Sequence, residues 1–231
     1  MSNTETVLIV GTGGGLSASV AKRFAREGAR IVLASRDIDK LAPLAAETKA
    51  QLVRCDAADR ASVDALFAAC DAGPGAPDIV VYNPSFRVRG PFLDLDPDAV
   101  RKTIEVSAFG GFLVAQQALR RMVPKGRGVL LLTGASASVK GYAQSAPFAM
   151  GKFALRGLAQ SLAREFQPKN IHVAHFVIDG GIRAPGRAAP VDQPDAMLEP
   201  DAIAESYFQV ARQPRSAWSW ELELRPWVER F

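Results

Sequence analysis

The chain has 231 residues, 48% of them hydrophobic and 23% charged, with a formal net charge of +4. That length fits one doubly wound α/β unit, and the composition suits a water-soluble chain with a substantial buried core. No block of Lys and Arg marks a nucleic-acid surface, no run of about 18 apolar residues marks a membrane span, and two cysteines with two histidines leave too few ligands for the usual metal sites.

The N-terminal stretch carries no basic region followed by an apolar one, so the expectation is a cytoplasmic protein with Cys55 and Cys70 reduced. Short apolar runs at residues 7–10, 31–34, 51–53, 79–82, 129–132 and 171–177 are predicted strands. Several are apolar without alternation, as parallel strands covered on both faces must be. His172 and His175 fall inside the last of these runs. Between the runs lie helical patterns, such as Leu16, Val20 and Phe24 at i, i+4 and i+8, and the stripe Leu155, Leu158, Leu162 and Phe166. Residues 180–200 are rich in proline and irregular, which marks a lid or binding loop. Residues 201–212 are a predicted helix and 218–224 a last short strand. Strands alternating with helices predict right-handed crossovers and a single-domain Rossmann fold over 1–231, with a doubly wound parallel sheet of about seven strands.

The first strand runs directly into Gly11-Thr12-Gly13-Gly14-Gly15-Leu16-Ser17. Glycines between a strand and a helix let backbone N–H groups approach a pyrophosphate, and the helix N-terminus then stabilises it. The second strand ends in Ser35-Arg36, where an acidic residue would bind the adenosine ribose and repel a 2′-phosphate. Serine and arginine can donate to that phosphate, so NADP is expected over NAD, with NAD still possible.

Together these segments resemble the short-chain dehydrogenase/reductase family over essentially the full length. Gly11 through Gly15 and Ser17 resemble the family's Gly-rich loop with its first and last positions substituted. Cys55-Asp56 resembles the post-strand aspartate that contacts adenine, which carries that role to Asp56. Tyr82-Asn83-Pro84-Ser85 resembles the Asn-Asn-Ala-Gly segment and keeps Asn83. Ile178-Asp179-Gly180-Gly181-Ile182 resembles the Pro-Gly turn, with Asp179 in place of proline and Ile182 where the backbone would bind the carboxamide. The resemblance implies a cofactor set of Gly11, Gly13, Gly14, Gly15, Leu16, Ser35, Arg36, Asp56, Asn83, Lys152 and Ile182. It also implies a small-molecule substrate, no nucleic-acid or membrane partner, and a homotetramer or homodimer paired through the helix before the fifth strand, residues 99–122, and the lysine-motif helix, residues 145–166.

The family's active site uses Asn, Ser, Tyr and Lys. Here Lys152 fits the lysine, and the residue four before it is Phe148, which has the shape of tyrosine but no proton. Ser107 falls at the asparagine and Ala135 at the serine, with Ser136 next to it. A proton would then come from Ser136, from Tyr142 in the loop before the lysine helix, or from water near Lys152. Family variants that move the tyrosine would place it at Ala137 or Ser145, and neither carries one. Two functions follow: an NADP(H)-dependent oxidoreductase with a non-standard donor, or a non-catalytic dinucleotide-binding sensor or assembly subunit. The apolar C-terminal residues Trp218, Trp220, Leu222, Leu224, Trp227, Val228 and Phe231 either fold back on the subunit or meet another copy.

Overall fold

The structure, a computed structural model, describes residues 4–184 and 186–229. Strand β1 (Thr6–Val10) is buried at every position. It sits mid-sheet, between β2 (Arg30–Ser35) and β4 (Ile79–Tyr82), with helices on both faces. The remaining strands of this sheet are β3 (Gln51–Arg54), β5 (Gly128–Thr133), β6 (Ile171–Ile178) and β9 (Glu221–Leu224). Their order is β3-β2-β1-β4-β5-β6-β9 with every pair parallel. Seven parallel strands in this order form the predicted Rossmann sheet, and its order reverses between β1 and β4.

One core lies between the sheet and helices α3 (Arg60–Ala72), α5 (Gly110–Lys125) and α6 (Ala146–Phe166), around Leu66, Phe67, Val114, Met122 and Leu155. The other lies against α1 (Leu16–Arg26), α2 (Ala42–Thr48) and α7 (Pro200–Ala211), around Val20, Phe24, Leu44 and Tyr207. The α1 stripe Leu16, Val20 and Phe24 is buried as its spacing predicts. In α6 only Leu155 of its stripe is fully buried. Leu158, Leu162 and Phe166 are partly covered and line a groove shared with Phe112, Leu119 and Val123 of α5. Among the described residues no helix is long and apolar enough to cross a membrane.

Three expectations are corrected. Residues 99–122 are not one helix: α4 (Pro97–Ile104), capped by the Asp96 carboxylate, passes into a π-helical turn, Glu105–Phe109, before α5 begins. The stretch 180–200 is not wholly irregular, because β7 (Gly181–Ile182) pairs in parallel with β8 (Met197–Leu198) and closes the loop between them. The last strand begins at Glu221 rather than Trp218. A short turn at Arg215–Ala217 places the Trp218 ring on His172, with centroids 4.7 Å apart and planes 1° from parallel. Trp218 Nε1 donates to the Gln213 carbonyl at 3.1 Å.

Trp220, Leu222 and Leu224 pack on their own subunit's core, whereas Trp227 is 82% exposed and Phe231 lies outside the described residues.

Candidate functional site

Gly11, at φ +82°, leaves β1 in a left-handed conformation that suits glycine. A Cβ there would lie 2.5 Å from the Pro84 nitrogen, so glycine also lets the loop press against the exit of β4. The Gly11 and Thr12 amides donate to the Ala34 carbonyl, Ser17 Oγ donates to the Gly11 carbonyl at 3.1 Å, and Asn83 Nδ2 donates to Ser17 Oγ at 2.7 Å. Asn83 therefore braces the loop from the neighbouring strand. Positions Gly13 and Gly14 face open space, and Gly15 caps α1 without a side-chain bond. The Leu16 side chain is 6% exposed and belongs to the core, so its contribution to a cofactor is its backbone.

Beside this loop lies a cleft of about 290 Å³ lined by Gly11, Thr12, Ser35, Arg36, Cys55, Asp56, Asn83, Pro84, Ser85 and Val106. Asp56 accepts from the Ala58 amide at 3.0 Å, which fixes its carboxylate at the rim. Arg36 is exposed at the end of β2, and its guanidinium has no ion-pair partner among the described residues. A glycine cradle, a helix N-terminus and an unpaired arginine are the parts a dinucleotide needs, and these residues fit one.

The lysine lies deeper. Lys152, on α6, is 3% exposed and donates from Nζ to the Thr133 carbonyl at 2.8 Å. Burial without a carboxylate beside it pushes its pKa down to about 8. Tyr207 Oη holds the Thr133 hydroxyl at 2.9 Å. One turn before the lysine, the Phe148 ring centroid lies 5.9 Å from Nζ. Gly151 permits α6 to meet the π-helical turn, since a Cβ would come within 2.8 Å of Ser107 Cβ.

The predicted proton donors are not gathered around Lys152 by any hydrogen bond. Ser136 starts a short turn, half-buried, and its carbonyl accepts the Val139 and Lys140 amides. Ser138 Oγ accepts the Ala135 amide at 3.1 Å. Tyr142 is exposed in the following loop. Ile182 lies in β7, opposite Leu198. Asp179, 3% exposed, is held by Lys140 Nζ at 3.0 Å, so the residue in place of the family's proline is pinned by an ion pair.

Sequence reasoning missed two features. The hydroxyls of Ser107 and Ser145 are buried without a hydrogen-bond partner. Arg87 lays its guanidinium 4.8 Å from the Phe148 ring centroid. Two arginines directly after the exit of an apolar strand, Arg87 and Arg89, were the available signal.

The short chain dehydrogenase family is matched over residues 5–191. A short-chain dehydrogenase of known structure from Rhodopseudomonas palustris is 37% identical, with a TM-score of 0.85, over 98% of this chain and 100% of that one. An alcohol dehydrogenase from Thermococcus sibiricus, complexed with 5-hydroxy-NADP, is 22% identical with a TM-score of 0.89 over 98% of each chain, a likeness of fold. The cyclic-di-GMP-binding biofilm dispersal mediator protein of Escherichia coli (strain K12) is 33% identical over 173 residues, covering 73% of this chain and 70% of that protein. An uncharacterized oxidoreductase of Staphylococcus aureus (strain N315) is 26% identical over 228 residues, 96% of this chain and 97% of that one. With the family matched over most of the chain and a 37% identical short-chain dehydrogenase alike over nearly all of it, the chain belongs to the short chain dehydrogenase family of NAD(P)-dependent oxidoreductases.

Proposed function

We propose that this chain is an NADP(H)-preferring oxidoreductase of small molecules, cytoplasmic and homo-oligomeric, whose proton donor differs from the family's tyrosine. The observation that carries this reading is Lys152, an ammonium buried without a counter-charge and held at the end of β5 by the Thr133 carbonyl. Such a group costs stability, and ribose hydroxyls at Nζ would give it the partners it lacks. In the cleft, Ser35 and Arg36 would receive a 2′-phosphate and Asp56 the adenine, while the backbone at Gly13 to Leu16 would receive the pyrophosphate.

When bound, NADPH supplies a hydride. The chain must then orient the acceptor and deliver one proton to the atom that becomes negative. Phe148 stands at the tyrosine's spacing from Lys152 and has no proton to give. Ser136, Tyr142 or a water near Lys152 fills that role, and residues 180–200 close over the substrate. The test is a panel of carbonyl compounds and activated alkenes with NADPH, followed by loss of its absorbance. Turnover that vanishes in Lys152→Met supports the reading. A panel with no turnover, beside tight NADPH binding, overturns it.

A second reading follows from that same loss of the hydroxyl: a dinucleotide-binding sensor or assembly subunit without catalysis. The Escherichia coli relative, which is named for binding cyclic-di-GMP, gives it a ligand to try. Calorimetry with cyclic-di-GMP and with NADPH separates the two, since the sensor reading requires tight binding and no hydride transfer.

A further inference from the structure

Three arginines come near one another beside the start of α6, with Arg87 against Phe148. Residues 85–90 leave β4 along the loop before α6, where the Gly90 amide donates to the Gln144 carbonyl at 3.1 Å. This path carries Arg87 onto the Phe148 ring. Arg187 arrives from the opposite direction, in a hairpin where the Ala184 and Arg187 backbones bond each other both ways. Its guanidinium folds onto Gly181, so close that a Cβ there would lie 3.0 Å from Nη2.

Partial burial of the Arg87 guanidinium, and after it the nearby charges of Arg89 and Arg187, hold its pKa below the usual guanidinium value. Like charges so placed repel, and a protein usually relieves them with carboxylates. Among the described residues none of the three has an ion-pair partner. Nearby Arg183, by contrast, is committed to Glu199 at 2.5 Å and to the Pro194 carbonyl. These guanidiniums come from two separate segments, the exit of β4 and the hairpin after β7, and that of Arg87 is already oriented by stacking on the Phe148 ring.

We propose that Arg87, Arg89 and Arg187 are the receptor for a carboxylate or phosphate group of the substrate, which is therefore a small anion rather than a neutral alcohol or ketone. This rests on the reading of the cleft as an oxidoreductase site, and it adds the substrate's class. Planar guanidiniums pair with either oxyanion through parallel N–H donors, and a concentration of one charge sign also draws the anion to the site. Arg187 rides on the loop closed by β7 and β8, so a bound anion would bridge that loop to the β4 exit.

The experiment is calorimetric, with malonate, inorganic phosphate and the neutral malonamide as probes, in the presence and absence of saturating NADP⁺. At least one anion should bind, malonamide should not, and added salt should weaken the binding. Whether malonate or phosphate binds more tightly tells which oxyanion the substrate carries. Arg87→Gln and Arg187→Gln should each weaken that anion about tenfold, with Arg87→Lys in between. Both arginines are exposed, so the variants should fold. In the titration without NADP⁺, Arg36→Ala should leave malonate binding intact. Equal binding of malonate and malonamide, no binding of either anion, or wild-type affinity in both glutamine variants would overturn the proposal. Loss in Arg36→Ala alone would place the anion in the cofactor cleft and do the same. Hydride transfer is read separately. A protein that holds malonate through Arg87 but turns nothing over loses the oxidoreductase reading and keeps the anion site. One that reduces neutral ketones equally well as Arg87→Gln, without binding either anion, loses the anion site alone.

Discussion

Lys152 is costly where it stands. Its pKa of about 8 in the folded chain lies below the ordinary value of about 10.4, so the folded state is penalised for holding the proton. The penalty is full below about pH 8 and is relieved as pH rises toward the unfolded value, because there the unfolded chain binds the extra proton. Lys152→Met keeps the length of the side chain and removes the charge. After allowance for the hydrogen bond lost at the Thr133 carbonyl, it should stabilise the protein at neutral pH by about 1–3 kcal/mol. Denaturant melts of both proteins from pH 7 to 10 should show that advantage shrinking as pH rises. A constant difference would mean that the ammonium is not penalised. Arg36, in the cleft beside the glycine loop, is expected to discriminate cofactors. Arg36→Ala should weaken NADPH by about 1.5–3 kcal/mol and leave NADH nearly unchanged. Equal losses for both cofactors would show that this guanidinium does not read the 2′-phosphate.

At the scale of elements, what was legible and what was not have physical causes. The central strands were readable because both of their faces are covered, so their sequences are apolar without interruption. The cofactor loop was readable because Gly11 must adopt a positive φ against Pro84. The π-helical turn at Glu105–Phe109 was not, since a local change of hydrogen-bond register leaves the helical periodicity almost intact. Two-residue strands such as β7 and β8 are too short for any pattern, and the charge of Arg187 reaches Arg87 from a segment about a hundred residues away in the chain. Helix α6 settles what a restored hydroxyl would meet. Residues 148 and 152 are four apart and share one face of it. Phe148→Tyr should therefore raise secondary-alcohol oxidation with NADP⁺ by about 10²-fold. Unchanged initial rates would show that position 148 does not face the reacting carbon.

At the scale of the whole molecule, the outer faces of the π-helical turn, α5 and α6 remain to be explained. Phe109, Phe112, Met150 and Phe153 are each between 42% and 50% exposed, and Phe109 stacks on Phe112 with centroids 6.1 Å apart. Apolar surface so concentrated is expected to be covered by another copy of the chain. Sedimentation at micromolar concentration should show an oligomer, and Phe112→Glu combined with Phe153→Glu should reduce it to monomer. A monomeric parent protein would refute this. Trp220, Leu222 and Leu224 are already spent on the subunit's own core, so among the described residues of the tail Trp227 and Val228 are the apolar side chains left for an assembly to cover.

The pairing of β7 with β8 also has a kinetic consequence. Among the described residues two strand pairs close that loop, with the Arg183 amide on the Leu198 carbonyl at 3.0 Å and the Arg183–Glu199 ion pair beside them. Releasing this latch breaks few hydrogen bonds and leaves the register of the seven-stranded sheet untouched, so its opening free energy should lie far below that of global unfolding. The chain then has two stabilities, a small one for the latch and a large one for the sheet. In hydrogen exchange the Arg183 amide should lose protection well before the Gly134 amide, which is bonded to the Phe176 carbonyl inside the sheet edge. An anion that ties Arg187 to Arg87 should slow the first exchange and leave the second alone. Residence time on the protein would then be set by the latch, not by the fold that carries it.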